Sequence, residues 1–205
     1  MQTYSHAIIN ATLGKQLEKR GVRPMYWALV LGSLMPDAPL TVLTLNYWYN
    51  IRAELGAGAS PEQLFGERYD ALYFGDPVWI TSHALMHAPL MIALWLLIGW
   101  FSGFRQGKTW GKWVFWFAVG NALHSLLDIP THAGDGPLLL YPFNWSLRYD
   151  SPVSYWDPQR YGTIFAPLEH LLDVLLIGYL VFDGIIKPRR EKRKNKQAEA
   201  AAVGD

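Results

Sequence analysis

Four apolar stretches close to membrane-spanning length dominate this chain: residues 26–45, 84–102, 113–129 and 167–186. A helix needs about 20 mostly apolar residues to cross a bilayer. The first stretch is interrupted by Pro36-Asp37-Ala38-Pro39, and the second contains the uncharged run 88–101. Two architectures can bury such segments, four spanning helices or four core helices of a soluble all-α domain. The mean hydropathy of +0.05 leaves the second open.

The placement of charge favours the membrane. Fourteen of the 18 Lys and Arg residues fall in segments 1–25, 103–112 and 187–205. The other four, Arg52, Arg68, Arg148 and Arg160, lie in segments 46–83 and 130–166. Four crossings with both termini in the cytoplasm place the basic majority inside, as the positive-inside bias requires. Tyr26, Trp27, Trp100, Trp110 and Trp113 then line the inner interface, and Tyr47, Trp48, Tyr49, Trp79, Trp145 and Trp156 the outer one. A soluble bundle has no reason to sort its arginines and tryptophans in this way. The expectation is an all-α, integral-membrane helical bundle of about four transmembrane helices in a cell inner membrane.

The remaining organisation is simple. Segment 4–20 reads as an N-terminal amphipathic helix, with Ile8, Ile9, Leu13 and Leu17 opposite Lys15, Gln16, Lys19 and Arg20. The start of the chain lacks the apolar core and small-residue cleavage site of a signal peptide. Ser60-Pro61-Glu62 marks a helix start in the acidic loop 46–83. Loop 130–166, rich in Gly, Pro and Tyr, reads as irregular. Residues 1–186 form one membrane-embedded domain, and 187–205 a basic, disordered cytoplasmic tail. With no cysteine, disulfides and thiolate metal sites are excluded. The basic residues form no stripe on a folded face, so no nucleic-acid partner is expected.

The six histidines carry the chemistry. His83 and His87 are spaced i, i+4, as are His124 and Asp128, so each pair shares a helix face. His170 and Asp173 are spaced i, i+3, with Glu169 beside them. Measured from the inner charges, His6, Asp37, His83, His87, His124, Asp128, His132 and His170 all fall at one height, roughly 20–25 Å up at about 1.5 Å per residue. That height lies in the outer half of the membrane. Each histidine alone reads more simply as a hydrogen-bonded core residue, and Asp37 and Asp128 as helix caps beside prolines. Together they form a layer of costly ionisable groups, which membranes tolerate when the groups pair or bind ions. Nitrogen and oxygen donors suit zinc, with manganese or iron as alternatives. A single structural zinc takes four ligands, so this many candidates suggest two or three ions.

Several elements resemble a known family. Ser5-His6, Gly32-Ser33-Leu34-Met35-Pro36-Asp37, Ser82-His83-Ala84-Leu85-Met86-His87, Gly120-Asn121-Ala122-Leu123-His124-Ser125-Leu126-Leu127-Asp128-Ile129-Pro130-Thr131-His132 and Leu140-Tyr141-Pro142-Phe143 are its carriers. Over residues 4–180 they look like the YdjM-type inner-membrane proteins, predicted metal-dependent hydrolases. The layout is more distantly similar to zinc-dependent phospholipase C, an all-α family with three zinc ions. Carried over, the resemblance implies one metal subsite from Asp37, His83 or His87, His124 and Asp128. It implies a second from His132, His170 and Asp173, and a third that His6 joins with Asp128 bridging. The chain departs from the family at Pro39, where a second Asp is usual, and in the Ser-His-Ala-Leu-Met-His element.

The leading expectation is a membrane-bound metal-dependent hydrolase, a phosphoesterase acting by metal-activated water. Asp37 is the candidate general base, and Arg148 or Arg160 the candidate holder of phosphate oxygens. A site in the outer half of the bilayer suits a lipid or lipid-linked substrate arriving sideways, past the apolar run 138–143. Two other classes remain. A divalent metal-ion transporter would carry polar residues on to the inner face, and a non-catalytic protein stabilised by metal would need no more than four ligands.

Overall fold

The computed structural model describes residues 1–56, 58–189, 191, 192 and 195. Most of the tail expected from residue 187 onward lies outside the described residues. The described residues are mostly helical, with one small antiparallel pair of strands. Its helices are α1 (Thr3–Lys19), α2 (Tyr26–Leu34), α3 (Ala38–Leu55), α4 (Pro61–Phe65), α5 (Glu67–Gly75), α6 (Pro77–His87), α7 (Pro89–Gly99), α8 (Thr109–Asp128) and α9 (Gly162–Val181).

Two helical stretches are long and apolar enough to cross a membrane, Tyr26–Leu55 and Gly162–Arg189. A third is a bent pair, Pro77–His87 with Pro89–Phe104, turning by 53°. The bend has a local cause. Pro89 has no amide to donate to the Leu85 carbonyl, and the Trp95 indole donates to that oxygen instead, at 3.1 Å. The remaining expected span, 113–129 in α8, has the length, at 20 residues, but it runs through the interior. Its buried face carries Asn121, His124, Ser125 and Asp128, which lower its apolar character.

The centre of the bundle is a backbone contact between α2 and α8. A Cβ on Gly32 would stand 2.1 Å from the Phe117 carbonyl oxygen, and one on Gly120 would stand 2.3 Å from that of Leu29. Only two glycines permit this approach, the usual device of membrane helices, which pack through small residues.

α1 differs from the sequence expectation. Its buried residues are Ser5, His6, Asn10 and Gly14, whereas Ile8, Ile9, Leu13 and Leu17 are only partly buried. In a bilayer the aliphatic side loses nothing by facing outward, so the polar and small side turns in. α1 is tied to α9 near both ends. Ser5 donates to Asp173, and Lys19 donates to Tyr179 and Asp183.

The two long loops, 46–83 and 130–166, are more regular than expected. Ser60 caps α4 in a reciprocal box with Gln63, as its sequence indicates. Loop 130–166 contains an antiparallel pair, β1 (Ala133–Leu138) with β2 (Arg148–Asp150). Leu138 and Tyr141 lie in a core cluster with Ile80, Ala84 and Ala88, while Leu140, Pro142 and Phe143 of the same run are exposed.

Candidate metal centre

Three local breaks deliver the central side chains. The α2–α3 junction at Met35–Asp37 turns the Asp37 carboxylate inward, and the Thr3 hydroxyl donates to its Oδ2. The α6–α7 bend leaves His87 at a helix C-terminus, and the Ser125 hydroxyl donates to the freed His87 carbonyl at 2.7 Å. α8 ends at Asp128, one turn after His124.

These four residues converge. Asp37, His87, His124 and Asp128 each offer one ligand atom, and all of these atoms lie within 4.8 Å of one another. His124 Nε2 is 2.9 Å from Asp128 Oδ2 and 3.5 Å from Asp37 Oδ1. His87 Nε2 is 3.5 Å and 3.4 Å from the same two oxygens.

The imidazole orientations test whether a cation fits. His87 Nδ1 lies 3.1 Å from the His83 carbonyl, and His124 Nδ1 lies 2.7 Å from the Ser33 carbonyl. A carbonyl only accepts, so each Nδ1 carries a proton and each ring turns its Nε2 to the cluster. The two Nε2 atoms stand 3.0 Å apart. Two imidazole nitrogens and two carboxylates facing one point are balanced by a cation, whether a proton on an imidazole or a metal ion. Backbone-fixed imidazoles with carboxylates are the usual dress of a divalent ion, so the residues fit a metal.

Asp128 is the hub of a wider network. Its Oδ1 accepts from the Met1 α-amino group at 2.9 Å and lies 2.9 Å from His6 Nε2. The His6 ring stacks on His124 with centroids 3.7 Å apart.

The other nominated residues stand outside the four. His83 is buried one turn before His87, with ring centroids 4.2 Å apart, and its Nδ1 has no partner. His132 donates from Nδ1 to the Asp128 backbone carbonyl at 2.9 Å, and that nitrogen is 3.8 Å from the Asp128 carboxylate. Burial holds the His132 imidazole below the usual histidine range, against the pull of Asp128. His170 is exposed beside Tyr4, and Asp173 turns inward to Ser5. Arg160 donates to Asp150 and to the Ser151 carbonyl. Arg148 lies over the Tyr73 and Phe74 rings and donates to the Gly136 carbonyl. Sequence reasoning gave no role to Ser33, whose part is played by its backbone, or to Thr3 and Ser125. Ser125 sits beside His124, which is the one signal that could have found it.

A cavity of about 910 Å³ reaches the cluster at its two carboxylates, Asp37 and Asp128, whereas His87 and His124 do not line it. Asp37, Asp128, His83 and His132 reach it from below, and Tyr73, Tyr155 and Trp156 stand in its walls. Burial and the nearby carboxylates raise the Tyr155 hydroxyl above the usual tyrosine range, so it stays protonated. A further cavity of about 720 Å³ lies among α3, α5 and α6 and meets none of the histidines.

A sequence profile of one family, YdjM inner membrane protein, matches residues 1–197. No curated protein and no solved structure matches the chain.

Proposed function

The chain belongs to the YdjM inner membrane protein family, and from that premise we propose that it is a membrane-bound, metal-dependent hydrolase cleaving a phosphoester in a lipid or lipid-linked substrate. The observation that carries this reading is the convergence of two imidazole nitrogens and two carboxylates, the carboxylates also lining a cavity. A divalent ion there, zinc in the first instance, would supply a Lewis acid for a phosphoryl oxygen and lower the pKa of a bound water.

The protein's own residues supply the rest. Asp37 is the most accessible of the four, with its side chain 23 % exposed, and it accepts the proton of the attacking water. Arg148 packs behind the cavity wall, on the Tyr73 and Phe74 rings and the Gly136 carbonyl, and is the candidate partner for phosphate oxygens, since Arg160 is held by a carboxylate, Asp150, and by the Ser151 carbonyl. The cavity opens along α3. Leu40, Thr41, Leu45 and Trp48 line it, while Val42 and Leu45 also face outward. A lipid can therefore present its headgroup to the cluster with its chains still in the bilayer. In this reading α8 is the fourth span, both basic ends face the cytoplasm and the metal centre stands toward the outer side.

Divalent-cation transport is the second reading, favoured by one observation. Asn10 and Asn121 are fully buried one turn below His6 and His124, and both carry unpartnered amide atoms. Below them Gly14 and Ala118 are buried on the same two faces, with Leu29 and the Tyr26 ring packed there, and the polar run stops.

The test measures hydrolysis of defined phospholipids and metal flux on one preparation in liposomes. Hydrolysis that Asp37→Asn abolishes while much of the metal is retained supports the enzyme. Metal flux without hydrolysis of any ester overturns it.

A further inference from the structure

The turn between β1 and β2 ends in an apolar tip. Residues 136–147 carry no charge. Leu140, Phe143, Trp145 and Leu147 are exposed there, Phe143 at 87 %. Exposed apolar clusters of this kind mark surfaces that meet a partner or a membrane. The polar residues of the tip, Asn144 and Ser146, are turned back on the loop itself. Asn144 Oδ1 accepts from the Ser146 and Leu147 amides, at 2.9 and 2.7 Å, and from the Ser146 hydroxyl. The Trp145 indole donates to the Pro142 carbonyl at 2.9 Å. The Leu139 amide donates to the Leu147 carbonyl, and the Phe143 and Asn144 amides donate to that of Leu140. The tip thus satisfies much of its own polarity and presents apolar side chains outward.

Its packing on the bundle sets its depth. Leu138 and Tyr141, at the root of the tip, pack on Ile80, Ala84 and Ala88, with Met91 of α7 against the same cluster. The Tyr141 hydroxyl donates to Thr81 at 3.3 Å. These partners surround the α6–α7 bend, where His87 stands roughly 20–25 Å above the basic ends at about 1.5 Å per residue. A hydrocarbon core is about 30 Å thick, so the bend lies roughly 5–10 Å beneath the far boundary. Irregular backbone does not face lipid at the bilayer centre. At the headgroup boundary it can keep its water while aromatic and aliphatic side chains sit among the acyl chains.

We propose that the 139–147 tip is an interfacial anchor, seated at the headgroup–acyl boundary of the leaflet opposite the basic ends. Leu140 and Phe143 reach the acyl chains, and Trp145 lies at headgroup level. Lipid is the occupant that the surroundings favour. The bent pair that holds the tip leaves Leu90, Leu94 and Leu97 exposed along a stretch apolar enough to span, so the tip joins a surface that already meets acyl chains. β1 then connects two environments. Ala133, Asp135, Gly136 and Pro137 line the cavity, and a few residues further on the same chain enters lipid, which tethers that cavity wall to the bilayer. The anchor rests neither on the hydrolase reading nor on which face is cytoplasmic.

The test measures depth. The chain has no cysteine, so a single substitution takes a nitroxide label at one place. Full-length Phe143→Cys and Leu140→Cys are labelled and reconstituted into vesicles of phosphatidylethanolamine with phosphatidylglycerol. Val174→Cys, on the exposed apolar side of α9, and Glu62→Cys, on exposed α4, are the references for lipid and water. Electron paramagnetic resonance reads collision of each label with oxygen, which concentrates in lipid, and with a water-soluble nickel chelate. Oxygen should dominate at Phe143→Cys and Leu140→Cys, as at Val174→Cys, and the preference should reverse at Glu62→Cys. If Phe143→Cys does not reconstitute, Leu147→Cys replaces it. Nickel dominating at the tip, with oxygen dominating at Val174→Cys, overturns the anchor and leaves the spanning helices standing. Exclusion of both reagents means that protein covers the tip, a second copy or another chain, and also overturns the anchor. Nickel dominating at Val174→Cys as well overturns the membrane architecture with it.

Discussion

Gly120→Ala should weaken metal binding without touching a ligand. The new Cβ would stand 2.3 Å from the Leu29 carbonyl oxygen and 3.0 Å from the Gly32 backbone. An ordinary carbon–oxygen contact is about 3.3–3.6 Å, so α2 must retreat from α8 by about 1 Å. Ser33 moves with α2, and its carbonyl now holds His124 Nδ1 at 2.7 Å. A further ~1 Å takes that pair beyond hydrogen-bonding range. Losing such an orienting partner typically costs about 10–100-fold in metal affinity, or about 1.4–2.7 kcal/mol. The overpacked interface should also cost about 1–3 kcal/mol of stability. Competition with a fluorescent chelator reads the affinity, and a thermal melt of the metal-free protein reads the stability. Gly178→Ala is the control, because nothing lies within 4 Å of its Cβ. Affinity within twofold of wild type in Gly120→Ala would show that the Ser33 carbonyl does not orient His124.

Other outcomes follow from the same geometry. His124→Ala and Asp128→Ala should each sharply lower bound metal, whereas Glu62→Gln and Asp76→Asn, on exposed α4 and the α6 cap, should not; unchanged stoichiometry in both α8 variants would make the cluster purely structural. A chelator should lower the melting temperature of wild type, since metal at 100 times its Kd stabilises by about 2.7 kcal/mol, and His124→Ala should lose most of that difference. For topology, Lys108→Cys and Asn195→Cys should resist an impermeant thiol reagent on intact cells while Ser60→Cys and Tyr149→Cys react, and labelling at 195 from outside would reverse the orientation.

The cluster was legible where helical spacing alone fixes a face. His124 and Asp128 are one turn apart, and counting from the basic ends brings Asp37 and His87 to their height. What spacing cannot give is the rotation of a helix about its own axis. On α9 the sequence pairs His170 with Asp173, yet α9 is turned so that Glu169 and Asp173 meet α1, and His170, about 100° round from Glu169, faces out. That rotation is set by Gln2 and Ser5, distant in sequence. The aliphatic stripe of α1 misled for a related reason, because hydrophobic periodicity identifies the buried face only when the surroundings are water. The role of Ser33 was invisible, since a backbone carbonyl leaves no mark in a sequence.

The fastening of α1 to α9 bears on the order in which the protein is made. α1 emerges from the ribosome first, and its inward side, Ser5, His6, Asn10 and Gly14, gives it no apolar reason to settle early. Several of its anchors, Glu169, Asp173, Tyr179 and Asp183, are on the last helix to be synthesised. α1 can still settle on α2 early, with Gly14 against Tyr26 and Leu29, but its ties to α9 form only when translation is nearly complete. The four clustered ligands all precede α9 and can assemble earlier, so the late step is the fastening of α1, which carries His6 to Asp128 and His124, to the end of the chain.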